Sequence, residues 1–140
     1  MSRYVMNFGT FELGGAELAD LTTHVLEVRH PDHEQVALVV FKKAIPEGGT
    51  LRELVAGRVA DEMVRLAGYA VLSDAEVPWG GALARDVATR WRHEGRVLYG
   101  RQAHVELDAT WIAFAMSAPF ESRDACDAWF DEIMQSFTPT

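Results

Sequence analysis

Hydrophobic and polar residues alternate along several stretches of the chain with the period of two that is typical of a β-strand. Along residues 97–107 one face is apolar apart from Arg101, and it consists of Val97, Tyr99, Ala103, Val105 and Leu107. The opposite face consists of Leu98, Gly100, Gln102, His104 and Glu106. This second face begins apolar, passes a glycine and then presents a neutral amide. It is therefore typical neither of a core nor of an ordinary wet surface.

Two further stretches predict strands that are apolar on both faces. In residues 35–43 the two faces are Val36, Leu38 and Val40 against Ala37, Val39 and Phe41. In residues 111–118 they are Ile112, Phe114 and Met116 against Trp111, Ala113 and Ala115. A strand that is buried on one side only alternates with polar residues. Either a loop or the N-terminal segment covers the second face, or this face is an apolar trough for a partner chain.

Two stretches have the spacing of an amphipathic helix. The first opens with Thr50 as N-cap and Glu53 three residues later, which is a capping box, and Gly68 ends it. Its apolar stripe consists of Leu51, Leu54, Val55, Val59, Met63 and Leu66. The second helix lies near the C-terminus, and its buried stripe consists of Cys126, Trp129, Phe130, Ile133 and Phe137.

Short turns separate the remaining predicted strands. A strand pair surrounds Gly9, "LGGAELAD" is a loop, and "TTHVLEVRH" is a strand. Turns at Gly80-Gly81, Glu94-Gly95 and Asp108-Ala109 divide the four strands after the first helix, so these strands are antiparallel neighbours. The order β-β-β-α-β-β-β-β-α predicts an α+β fold, in which an antiparallel sheet carries two helices packed on one face. Residues 1–140 are expected to form a single domain.

Composition and charge narrow the classes of partner. The chain has 140 residues, of which 49% are hydrophobic, and its net charge is −8. This charge disfavours both nucleic acid and anionic lipid surfaces as partners. No window approaches 18 apolar residues, so we expect no direct insertion into a membrane. The N-terminal residues lack an apolar run of signal-peptide length, and we therefore expect a cytoplasmic protein.

No group of residues has the pattern of a catalytic, metal or cofactor site. Cys126 lies on the apolar stripe of a helix and is expected to be a small core residue. His30, Asp32 and His33 match no standard ligand spacing, and a solvated turn is the preferred interpretation. Phosphate-loop, dinucleotide and nucleophile-elbow motifs do not occur. We therefore predict a binding protein with no cofactor rather than an enzyme.

Five arginines fall in one hairpin region, namely Arg85, Arg90, Arg92, Arg96 and Arg101. They could bind an anionic partner. The preferred interpretation is that they offset acidic residues across the strands, such as Asp86, Glu94 and Glu106.

The order and spacing of several segments resemble the DcrB-like family, which has the Mog1/PsbP-type α+β fold. The matching segments are "FEL", "KKAIPEGGTLREL", "GYAVLSDAEVPWGGALARDVATRWRHEG", "VLYGRQAHVEL", "AFAMSAP" and "FDEIMQSFTP". Among stand-alone members of this length, the chain is similar to Eag-type chaperones of the bacterial type VI secretion system. The resemblance implies a homodimer that holds the apolar N-terminal transmembrane helices of a secretion effector, the client, and helps to load it on the spike protein.

Carried over by position, the resemblance implies a client-binding trough that consists of Thr23, Val25, Val39, Leu98 and Gln102. In an apolar trough, the neutral amide of Gln102 can satisfy a hydroxyl or carbonyl of the client without burying a charge. The alternative for Gln102 is an ordinary solvent-facing glutamine. Thr23 stands where the family has an aliphatic residue, and Arg58 stands where it has a glutamine. The alternative function is a small regulatory or anion-binding module of the same fold.

Overall fold

The structure is a computed structural model of the 140-residue chain. It describes the backbone of residues 3–6, 9–12, 17–20, 25–29, 36–79, 82–136 and 138–139, and the side chains of residues 36–79 and 82–136. The predicted turns at 30–33 and 80–81, together with Thr23 and Phe137, lie outside the described residues.

Most of the described chain forms antiparallel β-structure. The strands are β1 (Arg3–Met6), β2 (Gly9–Glu12), β3 (Glu17–Asp20), β4 (Val25–Arg29), β5 (Ala37–Ala44), β6 (Ala67–Trp79), β7 (Ala82–His93), β8 (Arg96–Leu107), β9 (Thr110–Pro119) and β10 (Thr138–Pro139). The helices are α1 (Leu51–Arg65) and α2 (Arg123–Ser136). A seven-stranded sheet has the order β3-β4-β5-β9-β8-β7-β6, and a small sheet has the order β1-β2-β10. The predicted loop "LGGAELAD" contains β3, which pairs with β4 at the sheet edge.

Tight turns connect β7 to β9 as the sequence predicts. Glu94 and Gly95 both have positive φ, at 51° and 76°, and Asp108 and Ala109 have φ of 50° and 58°. Two successive positive φ values are the signature of a hairpin turn whose twist matches the flanking strands. The two predicted hairpins β7–β8 and β8–β9 are therefore confirmed, and they fix the register of two long central pairings.

Local chemistry also explains where α1 begins and ends. The Thr50 side chain accepts a hydrogen bond from the Glu53 backbone N–H at 3.2 Å, and its hydroxyl donates to Glu53 Oε1 at 3.0 Å. The helix ends at Arg65, and Gly68 follows with φ of +62°. The predicted N-cap is thus confirmed. Of the predicted apolar stripe, however, Val55 is the member that becomes fully buried, and Met63 remains 57% exposed.

The α+β class, the antiparallel sheet and the two helices are confirmed, but the prediction that both helices pack on one face is wrong. On β9, Ile112 and Phe114 pack in the core that contains residues of α2. Their neighbours Trp111 and Ala113 pack in a second cluster that contains Leu51 and Leu54 of α1. Because successive strand residues point to opposite faces, α1 and α2 lie on opposite sides of the sheet. This is the physical reason why β9 is apolar on both faces.

Candidate functional site

The described part of the predicted trough lies on one face of the sheet. Gln102 pairs with Ala115 and Ala115 pairs with Val39, so these three share a face. Leu98 lies four residues before Gln102 on the same strand and therefore faces the same way. Val25 is in register with Phe41 on that face, although only its backbone position is described. The predicted trough residues therefore lie on one face of strands β4, β5, β8 and β9. Helix α1 packs on this same face.

Helix α1 covers part of this face. Phe41, Trp111 and Ala113 are buried against Leu51 and Leu54 of the helix. Gln102 is only 5% exposed, because its amide bonds to Glu62 on α1. Gln102 is therefore neither solvent-facing nor in the open part of the face. The sequence left open whether this face is covered, and the structure places α1 over one end of it.

Beyond α1 the same face stays open along a strip of partly exposed residues. We call it the open strip, and it consists of Ala37, Val39, Trp91, Leu98, Ala115 and Ser117. The pairs Val39–Ala115 and Ala37–Ser117 join β5 to β9, and the pair Trp91–Leu98 joins β7 to β8. Between these two groups, Leu98 is the diagonal neighbour of Ser117, whose direct partner on β8 is the buried Gly100. The strip crosses β5, β9, β8 and β7, which spans about 14 Å at the usual spacing between strands. It has an apolar residue at each end, Val39 and Trp91, and small residues between them on β9, and we call this arrangement the groove.

Trp91 is a member of the strip that the sequence prediction missed. A Cβ atom added to Gly100 would lie 2.8 Å from the Trp91 ring and 2.9 Å from Thr89 Oγ1. The indole therefore lies against the backbone of β8, and the glycine makes this close approach possible. The signal was present in the sequence, because Trp91 comes five residues before Arg96 across a two-residue turn and must then pair with Leu98.

The polar residues next to the strip are held by α1. Trp111, His104, Gln102 and Glu62 form a chain of hydrogen bonds between the sheet and the helix. Burial, and after it the nearby Arg58 guanidinium, lower the pKa of His104 from 6.5 to about 3. Burial first and the Glu62 carboxylate second raise the pKa of Tyr69 to about 12. Both groups are neutral near pH 7, so neither adds a charge to the layer between α1 and the sheet.

Arg58 lies where α1 meets the strip. Its guanidinium lies over the ring of Phe41, 5.1 Å from the centroid, and its Nε is 3.9 Å from Glu62 Oε1. Phe41 and Val39 point to the same face of β5, so Arg58 lies beside the end of the open strip at Val39. The position that the resemblance singled out is therefore next to the predicted trough.

Three of the five hairpin arginines form ion pairs with carboxylates, and the pair of Arg96 with Glu121, at 3.8 Å, is exposed. Arg85 Nε lies 2.7 Å from Asp74 Oδ1. Arg101 lies 2.8 Å from both Asp86 and Asp127. The predicted pairing of arginines with acidic residues is confirmed for Arg101 and Asp86. These contacts weaken the alternative of an anion site, because such a site needs cations that are free to bind.

Among the described residues, the other candidate for a reactive group is a core residue. Cys126 is fully buried, as predicted, and burial raises the pKa of its thiol to about 12. Among residues whose side chains are described, no group of three or more His, Cys, Asp or Glu residues could hold a metal ion. None of the described helices combines the length and the hydropathy that crossing a membrane requires.

Comparison with solved structures identifies the fold. Protein PA94 from Pseudomonas aeruginosa, described as a putative regulator of unknown function, superposes with a TM-score of 0.75 at 16% identity, over 91% of this chain and 99% of its own. PsbP (CyanoP) from Synechocystis gives 0.75 at 18% identity, over 99% and 92%. The Ran-binding protein Mog1p from Saccharomyces cerevisiae gives 0.71 at 12% identity, over 98% and 95%.

A type VI secretion protein shares the same architecture at greater distance. The immunity protein TplEi from Pseudomonas aeruginosa gives a TM-score of 0.59 at 18% identity, over 82% of this chain and 44% of its own. No curated protein gives a significant match. The DcrB family profile matches residues 9–136, which is most of the sequence. The chain therefore belongs to the DcrB family, and its fold is of the Mog1/PsbP type.

Proposed function

We propose that the protein is a non-catalytic chaperone or adaptor that binds an apolar helix in the groove formed by the open strip and α1. The observation that carries this proposal is the strip itself. Apolar and small residues from four strands stay partly exposed on a face whose other end is buried under α1. A contiguous apolar surface of this kind marks an interaction site more often than an ordinary wet surface.

The small residues of the groove and the net charge of the chain favour an uncharged helix as occupant. Ala37, Ala115 and Ser117 are small, so a helix can approach the sheet backbone closely between Val39 and Leu98. The net charge of −8 disfavours nucleic acid and anionic membranes, whereas an uncharged helix carries no such penalty. Burying one large client side chain contributes about 1.5–3 kcal/mol, so a few contacts outweigh the cost of association.

The client that we propose is the apolar N-terminal segment of a type VI secretion effector, held in the cytoplasm before export and passed on to the spike protein. The resemblance to Eag-type chaperones supports this, and a type VI immunity protein of Pseudomonas aeruginosa has the same architecture. A membrane-spanning helix of about 20 residues is about 30 Å long, roughly twice the width of one strip. A homodimer would supply two strips, and a dimer mass in light scattering at micromolar concentration is its test.

Co-expression with the N-terminal segment of a candidate effector tests the groove. Leu98→Asp and Val39→Asp each place a carboxylate where an apolar client side chain would bury it unpaired. We expect each variant to lose the client in co-purification, to keep the circular dichroism spectrum of the unsubstituted protein and to unfold cooperatively, with a melting temperature lowered by several degrees because both positions are partly buried. Val64→Asp is the matched control, because Val64 is 90% exposed on α1. Retention of the client by both groove variants, or its loss in the control, would contradict the proposed site.

A further inference from the structure

A chain of four buried side chains connects the sheet to α1. The Trp111 indole N–H donates to His104 Nδ1 at 3.0 Å, and His104 Nε2 lies 2.8 Å from Gln102 Oε1. The Gln102 amide N–H groups donate to Glu62 at 2.9 Å and 3.1 Å. All four side chains belong to residues that are at most 7% exposed. We call this group the polar chain.

The direction of every hydrogen bond in the polar chain follows from its first member. An indole N–H can only donate, so His104 Nδ1 must accept and the proton of the neutral ring must be on Nε2. His104 therefore donates to the Gln102 oxygen, which leaves the amide N–H groups to point at Glu62. Both carboxyl oxygens of Glu62 accept these bonds, so the chain ends there. Both polar atoms of Gln102 are thus engaged within the protein.

In the second half of α1 the buried residue is Glu62, whereas Val59 is only partly buried. Val55 and Glu62 are the buried residues of the helix, and Met63 and Val64 are 57% and 90% exposed. Leu51 and Leu54 anchor the first half against Phe41 and Trp111. Apolar contacts are non-directional, whereas a buried carboxylate is satisfied only where its donor lies. The position of the second half of α1 therefore depends on the bond between Glu62 and Gln102.

We infer that His104 and Gln102 are positioning residues, which hold α1 through Glu62 and so set the width of the binding groove, and that Gln102 does not touch the bound helix. This inference rests on the proposed function for the role of the groove. It differs from the expectation drawn from family resemblance, in which Gln102 lines the trough and bonds to the client. The geometry of the polar chain, which engages both polar atoms of Gln102, is the reason for the difference.

A paired exchange of the last two members tests the inference. Gln102→Glu removes the amide donor and places a second carboxyl group against Glu62 in a buried site, so the pair must either repel or take up a proton, and both cost free energy near pH 7. Adding Glu62→Gln restores a complete chain, because the new amide on α1 donates to the new carboxylate on β8, which still accepts from His104 Nε2. Asp61→Asn is the control, since Asp61 is exposed on the same helix and forms a surface pair with Arg65. Two readouts are needed, namely hydrogen exchange of the amides of residues 58–65 and the affinity of a fluorescent Leu/Ala helical peptide of about 20 residues, the length of a membrane span.

For Gln102→Glu we expect exchange in α1 to speed up about tenfold or more and peptide affinity to fall by a similar factor, which corresponds to about 1.4 kcal/mol. The double variant should return both values to within about threefold of the unsubstituted protein, and Asp61→Asn should change neither by more than that. Rescue of exchange and affinity together would support the positioning role, because a mere loss of a client contact would leave α1 exchange unchanged.

Two outcomes would overturn the inference. In the first, Gln102→Glu weakens peptide binding while α1 exchange stays the same, which would make Gln102 a direct contact. In the second, the double variant fails to restore slow exchange in α1. If the unsubstituted protein does not bind the peptide at all, the proposed function fails, and the exchange data alone still decide whether the polar chain positions α1.

Discussion

The two faces of the central sheet are held in different ways. On the α2 face, Ile112, Phe114 and Met116 are at most 2% exposed, and they pack against a helix that buries Cys126, Trp129, Phe130 and Ile133. On the α1 face, a helix of similar length buries Val55 and Glu62. The first face is an apolar core with the ion pair between Arg101 and Asp127 at its border, whereas the second combines a small apolar cluster, a polar chain and an open strip.

Under the proposed function, this difference separates stability from recognition within one sheet. Apolar burial on the α2 face supplies most of the favourable free energy of folding, because that term is proportional to the area removed from water. The α1 face buries less apolar area. Its hydrogen bonds fix one position of α1 but add little to the free energy of unfolding. A binding surface can therefore remain open on that side while the sheet is held from the other.

The largest expected effect is on the α2 face. Phe114→Ala should lower the free energy of unfolding by about 3–5 kcal/mol, because the ring is fully buried and its removal leaves a cavity. Leu98→Ala on the open strip should cost about 1–2 kcal/mol, since part of its surface already contacts water. Urea denaturation of both variants measures the difference. Equal losses in the two variants would show that the faces do not differ in the way described.

The next effect is a pH dependence that comes from the α1 face. The folded protein keeps the pKa of His104 near 3, mainly because the ring is buried, while the unfolded chain binds the proton below its ordinary pKa of 6.5. The contribution to stability is therefore complete above pH 6.5 and is lost as the pH falls toward 3. Between about pH 7 and pH 5 the loss should be about 2 kcal/mol.

Comparison with His104→Gln isolates this contribution from that of the carboxylates. The variant lacks the titrating ring, so its free energy of unfolding in urea should fall less between about pH 7 and pH 5 than that of the unsubstituted protein. Parallel pH profiles for the two proteins would mean that His104 is not buried in its neutral form.

The smallest effects are expected at two glycines on the α1 side. Gly100→Ala should destabilise the protein by about 1 kcal/mol, at the low end for overpacking because the partly exposed Trp91 ring can move aside. The fluorescence of the Trp91 indole should change in this variant as the ring moves away from the sheet. Gly57→Ala should instead stabilise by about 0.5–1 kcal/mol, because an added Cβ meets nothing within 4 Å and alanine favours the helix.

Thermal unfolding and tryptophan emission measure this pair of variants. Should Gly100→Ala be as stable as the unsubstituted protein with unchanged emission, Trp91 would not lie against β8. The open strip would then lose one of its two apolar ends.

The sequence by itself determined the local elements and the grouping of residues on faces. The capping box of Thr50 and Glu53, the turns at Glu94-Gly95 and Asp108-Ala109, and the alternation along β8 and β9 are properties of near neighbours. Such properties follow from backbone conformation and from a period of two, so residue order is sufficient to predict them. For this reason Leu98 and Gln102 could be placed on one face of β8 from the sequence.

The tertiary structure alone decided what covers that face. The alternation in β9 shows that both of its faces are apolar, but it does not show which helix packs on which side, and the prediction of both helices on one face failed there. The bond between Gln102 and Glu62 joins residues 40 positions apart on a strand and a helix, and no local pattern encodes it. This hydrogen bond forms because α1 packs at this position on the sheet. Only this packing brings the Glu62 carboxylate to the Gln102 amide and leaves the open strip beside the helix.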